Sequence, residues 1–399
     1  MSSCQYFSSL PCKLVCQGLD NLVYSTLINY CSHLTRKKDI NHMNPVHQNA
    51  WQFWMLSFLA AAGTLLGILL LQHINSAHWV APWALLTLAL IALVAINKTH
   101  FLQPIMARLL QSSPWPWLVA AIIINSLVLF FGQHELGVTR TFGNDYFSLR
   151  ASLWSMIPML VFLTIFSQQT HVKPISILMA MLGIGLYAMA GFMQRDLFSL
   201  VILIVLAFYF GLQSKNKMKI WLPLSAGLSI PAGLLYALSS IPIWKRLVDF
   251  NHSAQTDPEG HGFTLHQTQS AFEQAGLWGT EKLHLINSAT TRLELDWSTL
   301  PHLSLWLGNV TMASIVLIII IFLALLFLQI RSANPTIKPL LVGGWLLLLV
   351  SQLFAIMPSF GLLPFTGHYG LLLLTPGEIT LVAALLLALS HSARQTNNP

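Results

Sequence analysis

The sequence predicts an all-α polytopic membrane protein of about ten transmembrane helices, with one large extracytoplasmic loop between the seventh and eighth spans. Three observations carry that expectation. Of 399 residues, 55% are hydrophobic and only 8% charged, against the roughly 25% charged residues of soluble domains. Mean hydropathy is +0.65. Apolar runs near the ~20 residues that cross a bilayer recur along the chain, without the alternating polarity of barrel strands.

In order, the runs are Trp51–Leu71, Trp79–Ile96, Trp115–Phe131, Ala151–Phe166, Ile175–Met193, Leu197–Leu212, Ile220–Leu238, Leu307–Leu328, Leu340–Pro358 and Tyr369–Leu389. Periodicity adds little, since a helix surrounded by lipid and protein needs no polar face. Pro223 and Pro231 in the seventh run, and Pro376–Gly377 in the tenth, predict helix breaks. Backbone freed at such a break survives only where protein or water satisfies it. Glu378 follows the second break directly and is the one carboxylate inside an apolar run. An intramembrane carboxylate is a functional candidate; a structural partner such as a backbone amide or an Arg is the other reading.

Orientation follows from Lys and Arg, which are retained on the cytoplasmic side. One set of connections carries Lys98 and Arg108, Lys173, Lys215, Lys217 and Lys219, Arg331 and Lys338, and Arg394, with almost no acid. The opposite set mixes signs, with Glu135, Arg140, Asp145 and Arg150 in one loop and Arg195 and Asp196 in another. Both termini are therefore expected in the cytoplasm and the long loop outside. The formal charge of +7 is explained by topology and calls for no nucleic-acid partner.

All four cysteines, Cys4, Cys12, Cys16 and Cys31, precede the first run, on the side where thiols stay reduced. Cys12–Cys16 lacks a second matching pair and reads as neither a disulfide nor a metal motif. Met43 stands just before the first run, so residues 1–42 read as a dispensable cytoplasmic extension or as the product of a misplaced start, and 43–399 as one transmembrane domain, with the large loop at 239–306.

That loop holds the densest polar stretch in the chain, RLVDFNHSAQTDPEGHGFTLHQTQSAFEQAGLWG from Arg246 to Gly279. It is long enough to hold short amphipathic segments of its own. Its five histidines, His252, His261, His266, His284 and His302, match no compact ligand spacing and have no Cys beside them, so they do not read as a zinc site.

GFTLHQTQSAFEQAGLWG at Gly262–Gly279 resembles the loop of the SEDS proteins (shape, elongation, division and sporulation), most of all the FtsW branch, with its G-Y-Q-x-x-Q-S-x-x-A-F-x-x-G-x-L-W-G pattern. Gly262, Gln267, Ala271, Phe272, Leu277, Trp278 and Gly279 match without a gap; Phe263 and Thr268 replace a Tyr and a Ser. Arg246, Phe250, Asp257, Pro258 and Gly260 resemble the family's R-x-x-x-F…D-P-x-G run with one extra residue. GVTR at Gly137–Arg140 with Phe147 and Ser148, Gln194 with Asp196, and GLLPFTG at Gly361–Gly367 are similar to further family elements. The likeness runs from the first span to the last.

Three departures accompany it. The family's loop ends in L-P-E-x-H-T-D-F, whose Asp is assigned to catalysis. Here Arg292, Leu293 and Glu294 fit the preceding K-L-E, but Pro301, His302 or Trp306 falls at the Asp position, depending on the gap. The Q-P-S-E-x-x-K element has become Arg150, Ala151, Ser152 and Leu153, losing its Glu, and S-Y-G-G-S-S has become TPGEIT at Thr375–Thr380.

The resemblance implies polymerisation of lipid II in division or wall synthesis, beside a class B penicillin-binding protein in the bacterial inner membrane. A hydroxyl of one sugar attacks the anomeric carbon of another and displaces a lipid diphosphate. A positioned base must take the hydroxyl proton, for which Asp296, Glu294 and His302 are the nearby candidates. Cations must stabilise the leaving diphosphate, and Arg forks or a divalent ion, Mg or Mn, suit it. Arg140 and Arg246 are candidates for that role, with Arg195 behind them and Gln267, Asp196 and Glu378 as further substrate-binding candidates. The bland alternatives are a snorkelling helix anchor for Arg246, a local Arg195–Asp196 ion pair, and a loop-satisfying Gln267. The second function is a catalytically inactive paralogue that scaffolds or regulates the penicillin-binding partner; a lipid II flippase is a third.

Overall fold

Each apolar run that falls within the described residues forms a helix. The structure is a computed structural model, and the residues described are 102–135, 138–144, 147–169, 171–194, 196–214, 221–223, 225–229, 233, 263–279, 295–363, 372 and 378–395. The runs expected at Trp51–Leu71 and Trp79–Ile96, and the breaks at Pro231 and Pro376–Gly377, lie outside them, as do residues 1–42.

Helix α1 (Leu102–Gln111) and helix α2 (Trp115–Phe131) meet at a 95° bend. The bend sits where Pro114 and Pro116 remove backbone donors, so the first helix cannot run on into the second. Ser112 fastens the corner, accepting from Trp117 Nε1 at 2.8 Å and donating to Leu109 O at 2.6 Å.

The connection after α2 forms a small antiparallel sheet that the sequence reading treats as loop: β1 (Gln133–Glu135), β2 (Val138–Asn144) and β3 (Phe147–Arg150), in the order β1-β2-β3. Val138, Thr139, Thr141 and Phe142 are β-branched or aromatic, which suits a pleated strand. Strands β2 and β3 pair from Asn144↔Phe147 to Thr141↔Arg150.

Strand β3 leads straight into helix α3 (Ala151–Gln168), which is buried over most of its length. It packs between α2, helix α5 (Leu197–Gln213) and helix α8 (Lys338–Ile356), and Phe162 stacks on Phe166 with centroids 5.4 Å apart. Helix α4 (Pro174–Met193) lies at the periphery. Its Ile175, Leu178, Met179, Leu182 and Leu186 are 48–59% exposed and share one helical stripe. An apolar stripe of that length is a lipid-facing surface.

Helix α6 (Phe263–Ala275) is the short segment inside the long loop, and helix α7 (Leu295–Arg331) follows with a break at Gly308. Helix α8 ends in a 3-10 turn at Met357–Phe360, and helix α9 (Glu378–Gln395) completes the described chain. Among the described residues, α3, α4, residues 303–331 of α7, and α8 with its 3-10 turn are long and apolar enough to cross a membrane, and the bent α1–α2 pair adds a fifth candidate. The expected multi-pass all-α membrane fold stands, with the small sheet added at one connection.

Candidate functional site

The loop motif becomes a joint between α6 and the start of the apolar part of α7. Ala271 and Ala275 are buried with Leu305, and Phe272 stacks on Phe360 at 5.6 Å and 16°. Just beyond α6, the backbone of Gly276–Gly279 lies across the break in α7. Asn309 N donates to Gly276 O at 3.1 Å and Val310 N to Leu277 O at 3.3 Å, so this crossing segment supplies acceptors where the helix has lost its own. Asn309 closes the joint: its Nδ2 donates to Phe272 O at 2.9 Å and its Oδ1 accepts from Ser304 Oγ.

Only glycine fits where the two chains cross. Gly308 has φ 85° and ψ 162°, a region essentially confined to glycine. A Cβ there would stand 2.5 Å from Trp278 Cα and 2.6 Å from Gly279 N. Gly279, at φ 89°, would place its own Cβ 2.6 Å from Trp306 O. Between the glycines at 276 and 279, Leu277 and Trp278 remain 64% and 78% exposed.

The base candidates lie just before this joint. Asp296 and His302 both sit on α7 ahead of its break; six residues place them about 9 Å apart along the axis and on different faces. The side chains of Asp296, His302, Gln267 and Arg140 are outside the described residues, as are Glu294, Arg246 and Arg195 entirely. Gln267 is placed on α6 and Arg140 on β2 by their backbones.

Two carboxylate candidates are fully described, and both meet helix N-termini. Asp196 is the N-cap of α5, accepting from Phe198 N at 3.1 Å, while its carbonyl accepts from Ser199 Oγ at 2.9 Å. It is 2% exposed, so its cap serves a buried helix start. Glu378, 8% exposed at the first turn of α9, accepts from the backbone N–H of Arg150 at 2.6 Å. A backbone amide is thus among the partners of Glu378.

A buried polar chain, absent from the sequence reading save for Gln194, ties the helix ends beside Asp196. Gln194 Nε2 donates to Asn125 Oδ1 at 3.1 Å and to Asn125 O, and Asn125 Nδ2 donates to Tyr187 O at 3.1 Å. Ser155 Oγ donates to Ser152 O at 3.0 Å, so its single proton is committed and Tyr187 OH donates to it across 2.8 Å. The legible signal was Asn125, a lone amide in the run Trp115–Phe131; a polar side chain at that depth needs a partner on another helix.

No protein-family model matches the sequence, and no curated protein matches it either. Solved structures do match in fold. A chain from a study of how a peptidoglycan synthase complex coordinates polymerization and crosslinking aligns over 86% of this chain and 97% of its own, with 17% identity and a TM-score of 0.55. The rod shape determining protein RodA of Thermus thermophilus aligns over 87% and 97%, with 16% identity and a TM-score of 0.53. A RodA variant with one Asp replaced by Ala aligns over 86% and 97%, with 15% identity and a TM-score of 0.50. The chain therefore shares the fold of these structures, RodA among them.

Proposed function

We propose that this chain is a SEDS protein of the bacterial inner membrane, FtsW-like, with both termini in the cytoplasm, and that it polymerises lipid II beside a class B penicillin-binding protein in division or wall synthesis. The observation that supports this most is the coincidence of motif and joint. Ala271, Phe272 and Gly279 match the family's loop and are also the residues that fasten that loop to α7 and the 3-10 turn. The RodA-like fold over most of the chain supports the same reading.

In this reading Asp296, Glu294 or His302 takes the proton of the attacking hydroxyl, a contribution of about 10²–10⁴ in rate. Arg140 and Arg246 stabilise the departing diphosphate through charge-assisted hydrogen bonds. Asp196, Gln267 and Glu378 shape the surrounding site, the first and last through the helix starts they cap. A divalent cation, Mg or Mn, would arrive with the diphosphate.

The second reading, an inactive paralogue that scaffolds the penicillin-binding protein, is favoured by one specific observation. No carboxylate stands at the family's Asp position. The deciding experiment is polymerisation of labelled lipid II by the purified protein, alone and with its penicillin-binding partner, with and without Mg or Mn. Glycan strands that fall at least about 100-fold on Asp296→Asn, Glu294→Gln or His302→Ala would establish the enzyme with a displaced base. Retained lipid II or partner binding without product would establish the scaffold.

A further inference from the structure

Helix α3 begins without a capping side chain of its own. Its N-cap residue is Arg150, with φ −86° and ψ 114° and no side-chain cap hydrogen bond; arginine is not among the residues that favour this position. Three residues on, where a Glu or Gln would reach back to the N-cap N–H in a capping box, the chain has Leu153, 1% exposed. The start of α3 is nevertheless buried, with Ala151 at 1% and Ser152 at 5%, so water is a poor substitute. The N–H of Arg150 is taken by Glu378 Oε1, 228 residues away, at 2.6 Å.

Glu378 is also in the first turn of its own helix, α9. One carboxyl group therefore sits where two helix N-termini converge. The amide bond gives one oxygen of this carboxyl group, 8% exposed in an apolar run, a partner. Arg150 also ends β3 and pairs with Thr141 of β2, so the same contact fixes the hairpin that carries Arg140.

We infer that Glu378 is a positioning residue: it supplies across the bundle the capping carboxylate that α3 lacks, and so holds the β2–β3 hairpin, with Arg140 on it, to the start of the last described helix. Its bearing on substrate, through Arg140, rests on the proposed function; the cap itself does not.

The two parts separate in one experiment on the full-length protein in nanodiscs. Amide hydrogen exchange over residues 138–150 is compared among wild type, Glu378→Gln, Glu378→Leu and Glu378→Leu/Leu153→Glu, and lipid II affinity is measured on the same samples. Glu378→Leu should speed exchange there at least tenfold, Glu378→Gln much less because its amide oxygen still accepts, and Leu153→Glu should restore protection by forming the cap locally. Lipid II affinity should fall and recover in parallel. Unchanged exchange in Glu378→Leu, or a loss in Glu378→Gln as large as in Glu378→Leu, would overturn the inference. If Glu378→Leu does not fold, Glu378→Gln that folds with near wild-type protection over residues 138–150 supports the cap, and Glu378→Gln that loses that protection overturns it. Restored protection without lipid II binding in any sample, wild type included, would leave the cap standing and remove the lipid II reading.

Discussion

The two joints that fasten connecting segments to the bundle are built in opposite ways. At Gly279 and Gly308 the two segments cross so closely that backbone atoms are the nearest neighbours wherever a Cβ would stand. At Arg150 and Glu378 the contact includes a hydrogen bond between an amide and a carboxylate carried by a separate helix. The first has one solution, because only glycine has both the φ and the absent Cβ that it needs. The second has several, since any acceptor that reaches the start of α3 will do. Leu153 stands where a capping box would carry a Glu or Gln, and the carboxylate comes instead from Glu378. A backbone joint is thus tied to its residues, whereas an acceptor can change position in the sequence.

Substitution at the glycine crossing is the strongest way to break that contrast. Gly308→Ala should destabilise the protein by about 3 kcal/mol or more, since it adds a strained backbone to a backbone collision. Loss of the monodisperse peak and a large drop in thermal midpoint in detergent would register it. Wild-type stability in that variant would mean that the crossing is not rigid.

Asn309→Leu tests whether side chains share the work at the same joint. It removes the amide that donates to Phe272 O and accepts from Ser304 Oγ, so a loss of about 1–3 kcal/mol is expected, read as a smaller midpoint shift. The smallest effect should come from Trp278→Ala. Trp278 is 78% exposed although its backbone lies in the crossing, so stability should change by no more than about 0.5 kcal/mol. A large midpoint shift there would show that the indole, as well as the backbone beneath it, holds the joint.

Much of the fold was legible because desolvation is a local property of composition. The apolar run Trp115–Phe131 is helix α2 residue for residue, and Ile175–Met193 falls within one residue of α4. The sheet was not legible, because strands of three, seven and four residues are too short to show a period above their polar surroundings. The site divides the same way. Gly279 and Phe272 stood out through the motif they belong to, whereas Asn125, Ser155 and Tyr187 were hidden, since each looks like an isolated residue until helices from different parts of the chain bring their polar atoms together.

The sequence alone therefore determined that this chain forms apolar helices of membrane length, because burying an unpaired backbone in lipid leaves helix as the available structure for such runs. It also marked the long loop by its density of charged and amide side chains. Which groups meet was decided only by the tertiary structure. Glu378 finds the amide of Arg150 across 228 residues, and the break at Gly308 is satisfied by carbonyls from the end of α6. Both contacts depend on where helices pack, and packing is a property of the whole chain rather than of any segment in it.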